Sequence, residues 1–301
     1  MIQKYRYLCA LAKERHFGRA AESCHVSQPT LSNGLRQLEE ILNVKLIDRK
    51  QKFIGLSPDG LKVLEYAKRI LAEHENLKAS LQDNNDRLRG RLRLGVIPTA
   101  LTYVSRFIKK LNEIHPDLTF TVESMSAPDL VRGILDFELD LGISYTHSGI
   151  PPSLQVIDLY REEYHCLMNR DDAEKGATHI SWCNASKFPL GMLTPNMQNR
   201  QIADAAFKEA GVQIRPMIET NSLSNLFHNV KNRLGVSIIP YQFFDLPNHE
   251  TDVVSLKLID PAISHQVGLL ASQGEPASHL AQAIVKLARQ GLFQNLFETD
   301  S

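Results

Sequence analysis

From Pro58 to Leu88 the chain has no further proline and, after Gly60, no glycine. Within that stretch Val63, Ala67, Ile70, His74, Leu77, Leu81, Asn84 and Leu88 recur at alternating spacings of four and three. Such a repeat is the seam of a long helix that pairs with another helix. His74 and Asn84 on the seam cost stability but fix register. The helix divides the 301 residues into a front piece, residues 1–60, a linker, 61–89, and a rear piece, 90–301. Its partner is either a second copy, with Val63, Ala67, Ile70, Leu77 and Leu81 as the dimerisation positions, or the chain's own rear domain. At about 150 residues per domain the length allows roughly two domains.

The front piece reads as short helices and a small hairpin. Ile2 to Glu14 carries apolar residues at helical spacing, His16-Phe17-Gly18 interrupts it, and Phe17 to Cys24 gives a second helix. Ser27 is the expected N-cap of a third, with Pro29 tolerated in its first turn. Leu31, Leu35, Leu38 and Leu42 then form one buried stripe. That leaves Gln28, Thr30, Ser32, Asn33 and Arg36 outward, with side chains suited to base edges or phosphates. The pattern is a helix-turn-helix whose second helix does the reading. Val44 to Ile54 alternates and turns, as a winged hairpin does, with Arg49, Lys50 and Lys52 near its tip for phosphates or a minor groove. Residues 1–89 hold 16 Lys and Arg against 11 Asp and Glu, and the remainder 18 against 23. A basic front joined to an acidic rear suits a nucleic-acid-binding module fused to something else.

The run H-F-G-R-A-A-E-S-C-H-V-S-Q-P-T-L-S from His16 to Ser32, with L-R-Q-L-E-E from Leu35 to Glu40, then L-I-D-R and L-S-P-D-G ending at Gly60, resembles the N-terminal signature of LysR-type transcriptional regulators. The resemblance covers essentially the whole chain. It implies a winged helix-turn-helix, a linker helix and a two-lobed α/β effector domain like periplasmic binding proteins. It also implies a homodimer or homotetramer on double-stranded promoter DNA, with RNA polymerase as a further contact. The implied DNA-contacting set is Arg19, Ser27, Gln28, Pro29, Thr30, Ser32, Asn33 and Arg36 with the three wing cations. Three residues depart from the pattern. Asn43 stands where glycine is usual, Ile47 where an aromatic is common, and Gly34 lies inside the reading helix, weakening it by up to about 1 kcal/mol.

After Gly90 short apolar strands alternate with helices, the mark of a mostly parallel α/β sheet. One set runs from Leu92 to Ser144 and a second from Leu190 to Ile239, with Leu154–Leu159 and His265–Ala271 where the chain crosses between them; Pro276 to Phe293 reads as a helix. Ligands of such lobes sit at the carboxyl ends of strands. There the sequence places Pro98, Thr99 and Ala100, then Ser126, Thr194, Thr220 and Ser222, each ahead of an expected helix. Helix N-termini with hydroxyls suit a carboxylate or other small organic anion. Taken singly each hydroxyl reads more readily as an ordinary N-cap; their recurrence at one edge points to a site. Through the resemblance Thr99, Ser126, Thr194 and Ser222 match positions lining the inter-lobe cleft, and Asn199 and Tyr145 are added candidates. The effector's identity is not written in the sequence.

Enzymatic motifs and metal-ligand spacings are missing, and no cofactor is expected. His147, His165 and His179 read as surface or packing residues, and Glu162-Glu163 as a solvated charged pair. Cys9, Cys24, Cys166 and Cys183 are widely spaced, which fits a reducing cytoplasm rather than a disulfide framework. No apolar run is long enough to span a membrane, and charges near the start exclude a signal peptide, so no membrane partner is expected. Some members of the resembled family sense peroxide through paired cysteines, one in the loop before the second lobe's first helix. Here that loop, Thr194 to Gln201, has none, and buried structural thiols are the expected reading, with a thiol-based redox regulator kept as the alternative. A solute-binding α/β protein that ignores DNA leaves the S-Q-P-T-L-S turn and basic wing unexplained.

Overall fold

The computed structural model describes residues 1–50, 52–82, 87–147, 149–240, 252–274, 278–294 and 296; the side chains of residues 49, 50, 52–54 and 79–82 lie outside that description. Two compact units result: residues 1–86 with 275–279, and 87–274 with 280–301.

In the front unit α1 (Ile2–Glu14) ends where Arg15 turns left-handed. His16 then caps α2 (Phe17–Ser23), its Nδ1 accepting from the amides of Gly18 and Arg19. Ser27 caps α3 (Gln28–Leu42), its hydroxyl accepting from the Thr30 amide, with proline in the first turn. Leu31, Leu35 and Leu38 are fully buried with Tyr7, Leu8, Leu11, Ala20, Ala21, Leu46 and Ile47. Ile47 therefore fills the core where an aromatic is common. Asn43 ends α3 at φ 53°, the left-handed conformation that makes glycine usual there.

Gly34 is not a weak point of a reading face. It is buried, and a Cβ there would lie 2.7 Å from the Tyr7 ring, so α3 crosses α1 only because this residue has no side chain. Gly34→Ala should gain up to about 1 kcal/mol of helix propensity and lose about 1–3 kcal/mol to overpacking against the buried Tyr7. Net destabilisation of the front unit is expected, read as a lower urea midpoint by circular dichroism.

Strands β1 (Ile47–Lys50) and β2 (Lys52–Leu56) form the antiparallel wing, with Ile47 opposite Leu56. Glu39, of the Q-L-E motif, holds the wing's base: its Oε1 accepts from the Leu46 amide at 2.9 Å and the Ile47 amide at 3.3 Å. Helix α4 (Pro58–Gln82) follows. At Gly60 a Cβ would meet the Leu46 carbonyl oxygen at 2.1 Å, so α4 begins directly on the wing's base and the glycine of L-S-P-D-G has a steric cause. Ala67 is fully buried and Val63 half-buried in this unit's own core, which α1 and α4 share. The seam expectation needs correction at Leu88 as well: it lies beyond α4, donates its amide to His115 Nδ1 and packs in the rear core, so it is not a linker residue. Leu81 and Asn84 lie outside the described side chains.

The rear unit starts at β3 (Gly90–Val96), a 3-10 turn (Pro98–Ala100), α5 (Leu101–Ile114), β4 (Leu118–Ser124), α6 (Ala127–Leu135) and β5 (Leu141–Tyr145). Strand β3 runs parallel to both β4 and β5. Next come β6 (Leu154–Asn169), β7 (His179–Ser181), α7 (Trp182–Ala185), β8 (Leu190–Leu193), α8 (Gln198–Glu209), β9 (Ile218–Thr220), α9 (Leu223–Lys231) and β10 (Val236–Pro240). Strand β8 is parallel to β9 and β10. The chain closes with β11 (Val253–Ile259), β12 (Ser264–Ser272) and α10 (His279–Arg289).

Each lobe thus has a parallel centre, and antiparallel strands join them. Residues 154–163 of β6 pair with β12, which pairs with β5; residues 164–169 of the same strand pair with β10 or β11. Strand β6 is therefore shared by both lobes. β7 and β11, parallel to each other, are strands the sequence pattern did not disclose. Within β3, Arg93 forks onto Asp140 at 2.8 Å and donates to the Phe137 carbonyl, so this arginine braces the first lobe. No helix among the described residues is long and apolar enough to cross a membrane.

Candidate functional site

Two surfaces carry the expected chemistry. On the front unit, Gln28, Pro29, Thr30 and Asn33 are exposed and Ser32 half-buried along the outer side of α3. The Ser27 and Thr30 hydroxyls bond each other at 2.8 Å, and Asn33 Oδ1 accepts from the Arg36 guanidinium at 3.0 Å. Arg19 donates to the Glu14 carbonyl and lies 3.4 Å from its carboxylate. The helix thus presents neutral amide and hydroxyl groups with a guanidinium positioned by one of them, the inventory that reads base edges. The side chains of Arg49, Lys50 and Lys52 lie outside the described residues.

In the rear unit, Pro98, Thr99, Ser126, Tyr145 and Asn199 converge from the two lobes around a void of about 10 Å³, room for one water. A larger void of about 340 Å³ shares Ala127, Tyr145 and Gln198 with it and extends along Pro128, Val131 and Ile150. The sequence reading missed Met197 and Gln198, because neither has the hydroxyl signal used to find the others. Ala100 is buried beneath. Neither void is lined by Thr194, Thr220 or Ser222. The Thr194 hydroxyl bonds Asn196, Thr220 accepts from the Ser222 amide, and Ser222 caps α9, so for these three local turn and cap bonds occupy the side chains. Ser126 does both: it caps α6 and lines the smaller void.

Under the void lies a polar centre the sequence did not announce. Glu162 is 0% exposed, so it is no solvated pair with Glu163. Its Oε2 accepts from the Tyr145 hydroxyl at 2.6 Å and its Oε1 from Tyr160 at 3.2 Å. The Tyr145 oxygen in turn accepts from Tyr164 at 3.3 Å and Asn199 Nδ2 at 3.4 Å, and Thr99 stands 3.5 Å away. Burial pushes the Glu162 carboxyl up to about 7 against the lowering effect of the Tyr145, Thr99 and Tyr160 hydroxyls. The alternation of β6 is the one available signal: Glu162 sits between Tyr160 and Tyr164 on the inward side. His265, opposite Glu162 in the β6–β12 register, has its ring centred 4.5 Å from that of His147 and tilted 53° to it. Burial lowers His265 to about 4.

Arg200 is buried and committed to Asp204, Glu219 and the Leu193 carbonyl, holding α8 against its lobe. None of the four cysteines is in a disulfide; Cys166 is buried and its thiol pushed up to about 12, and Cys183 is exposed. None of them lines either void. No group of three or more His, Cys, Asp or Glu suited to a metal occurs among the described residues.

Residues 2–61 match the model of the bacterial regulatory helix-turn-helix protein, lysR family, and residues 85–292 that of the LysR substrate binding domain. The Escherichia coli DNA-binding transcriptional dual regulator OxyR is 28% identical over 288 residues, 94% of each chain. Among solved structures, full-length OxyR from Pseudomonas aeruginosa with a cysteine-to-aspartate substitution superposes with a TM-score of 0.72 at 25% identity, covering 97% of this chain and 94% of that one. CbnR complexed with its target DNA gives a TM-score of 0.65 at 19% identity over 96% and 99% of the two chains, a likeness of fold.

Proposed function

The chain belongs to the LysR family of DNA-binding transcriptional regulators, and from that premise we propose that a small organic anion bound between the two rear lobes changes how paired front units sit on promoter DNA. The observation that carries the reading is the convergence of Thr99, Ser126 and Asn199 on one void at the helix ends of both lobes. In this reading residues 1–60 bind DNA, 61–89 pair the protomers as a dimer or tetramer, and 90–301 take the effector. The role is regulatory, not catalytic, and cytoplasmic, with RNA polymerase as the downstream contact. Coupling requires that the effector prefer one of two arrangements of the oligomer.

Base discrimination is assigned to Gln28, Thr30, Ser32 and Asn33, and phosphate affinity to Arg19, Arg36, Arg49, Lys50 and Lys52. Binding to the chain's own upstream duplex and to a random duplex, each at two salt concentrations, tests this division. Asn33→Ala should lose about 1–3 kcal/mol on the operator alone, while Lys50→Ala should weaken binding to both duplexes and reduce the salt slope by about one. Equal loss on both duplexes for both variants refutes the assignment.

The likeness to OxyR favours a second reading, peroxide sensing through thiols. A buried thiol such as Cys166 is a poor nucleophile, because the thiolate is the reactive form. Peroxide-treated protein is expected to keep its operator affinity and to show no intramolecular disulfide by intact mass under non-reducing conditions. A two-proton mass loss with altered DNA binding would establish the redox reading instead.

A further inference from the structure

Three side-chain donors that line the smaller void, those of Ser126, Asn199 and Tyr145, make hydrogen bonds within the protein. Ser126 donates to Asp129 Oδ2 at 2.6 Å. Asn199 donates to the Tyr145 oxygen, and Tyr145 donates to Glu162. Tyr164 also points its hydroxyl at Tyr145. With Glu162 ionised, Tyr145 has spent its one proton on the carboxylate and offers the void only an acceptor. An incoming carboxylate would face a second carboxylate across two hydrogen bonds, with no cation between them. The groups facing Glu162 are the phenols of Tyr145, Tyr160 and Tyr164, Tyr103 stacked on Tyr160, the Thr99 hydroxyl and the Asn199 amide, with His265 and His147 beyond. Arg200, in the first turn of α8, is tied to Asp204 and Glu219.

We propose that the site binds a monocarboxylate with an apolar tail together with one proton: Glu162 takes up the proton as one carboxylate oxygen takes the one-water void beside Thr99 and Asn199, and the rest of the ligand lies in the larger void along Val131 and Ile150. The balance is Glu162 carboxylate plus anion plus one proton from solvent giving neutral Glu162 with the anion bound. Once protonated, Glu162 donates to Tyr145, and the Tyr145 and Asn199 donors turn to the ligand. The tail's place follows from the apolar wall of Pro128, Val131 and Ile150 on the larger void. A carboxyl already pushed up to about 7 is poised for that exchange at neutral pH. The inference rests on the anion-site reading given above.

The test is calorimetry of the full chain with acetate and with butyrate, in two buffers of different ionisation enthalpy, at pH 6 and pH 8. Proton uptake near one per butyrate is expected at pH 8 and much less at pH 6, with affinity falling up to about tenfold per pH unit on the alkaline side and butyrate preferred to acetate. Glu162→Gln, which keeps a donor toward Tyr145, should bind butyrate equally at both pH values with no proton uptake. Binding by the wild type at pH 8 without uptake, or equal uptake by Glu162→Gln, overturns the proposal and leaves the anion site standing. No binding of either carboxylate by wild type or variant at pH 6 overturns the anion site and the proposal with it. If the variant does not fold, isotope-edited infrared of the wild type decides: butyrate at pH 8 should raise a protonated-carboxyl band, and an unchanged spectrum refutes the exchange.

Discussion

Leu77→Glu should turn the protein into a monomer and weaken operator binding by roughly a hundredfold or more, the avidity lost when two half-site contacts are no longer linked. Tyr66, Ile70 and Leu77 are 55%, 37% and 57% exposed and fall on one side of α4 by helical spacing. Leu64 and Ala67, by contrast, pack into the front unit's own core. An apolar stripe left uncovered on a long helix is what a second copy of that helix would bury, and a glutamate at its centre places like charges across a two-fold interface. The front unit should keep its fold, since Leu77 is not part of its core. Leu61→Glu is the control: Leu61 is 59% exposed but lies nearly opposite Leu77 around the helix, so its substitution should leave the mass by light scattering unchanged. A Leu77→Glu protein of unchanged mass would show that α4 is not the seam.

The same helix shows how far the sequence alone could be read. Its heptad spacing located the element, yet the period could not say which face the chain uses for itself. Val63 and Ala67 lie in the front unit's core beside α1, and Tyr66 took their place on the free side. In the reading helix the cap, the proline and the Leu31–Leu35–Leu38 stripe were legible because each is a local device. Gly34 was misread because its reason, the Tyr7 ring, is distant in sequence. The rear lobes follow the same division. The βα alternation and the hydroxyls at Thr99 and Ser126 were visible, whereas β7 has only three residues and β11 pairs with β6 and β7, both distant in sequence. Glu162 was hidden more deeply: a charged dipeptide looks solvated until the strand alternation puts one carboxyl inside and its neighbour out.

That buried carboxyl also governs how the rear unit's stability varies with pH. Glu162 rises from 4.5 to about 7 on folding, so between those values the folded protein holds a proton the unfolded chain has released. Its contribution is fully present below pH 4.5 and disappears as pH rises through 7, on the order of 3 kcal/mol across the window. His165 and His265 act the other way. Burial lowers both to about 4, so their contribution is present above pH 6.5 and lost as pH falls toward 4. In the wild type the two histidines outweigh the single carboxyl across much of the same range, so a pH profile of the wild type alone would show stability rising with pH and would hide the Glu162 contribution. Glu162→Gln removes one side of the balance. The unfolding free energy of wild type minus that of Glu162→Gln should therefore fall from pH 5 to pH 8, whatever the histidines contribute. Trp182, the chain's single tryptophan, is fully buried in the rear unit, so its fluorescence in urea follows that unit alone. A difference that is flat or grows with pH would mean that Glu162 is ionised throughout, with its phenols holding it as a carboxylate.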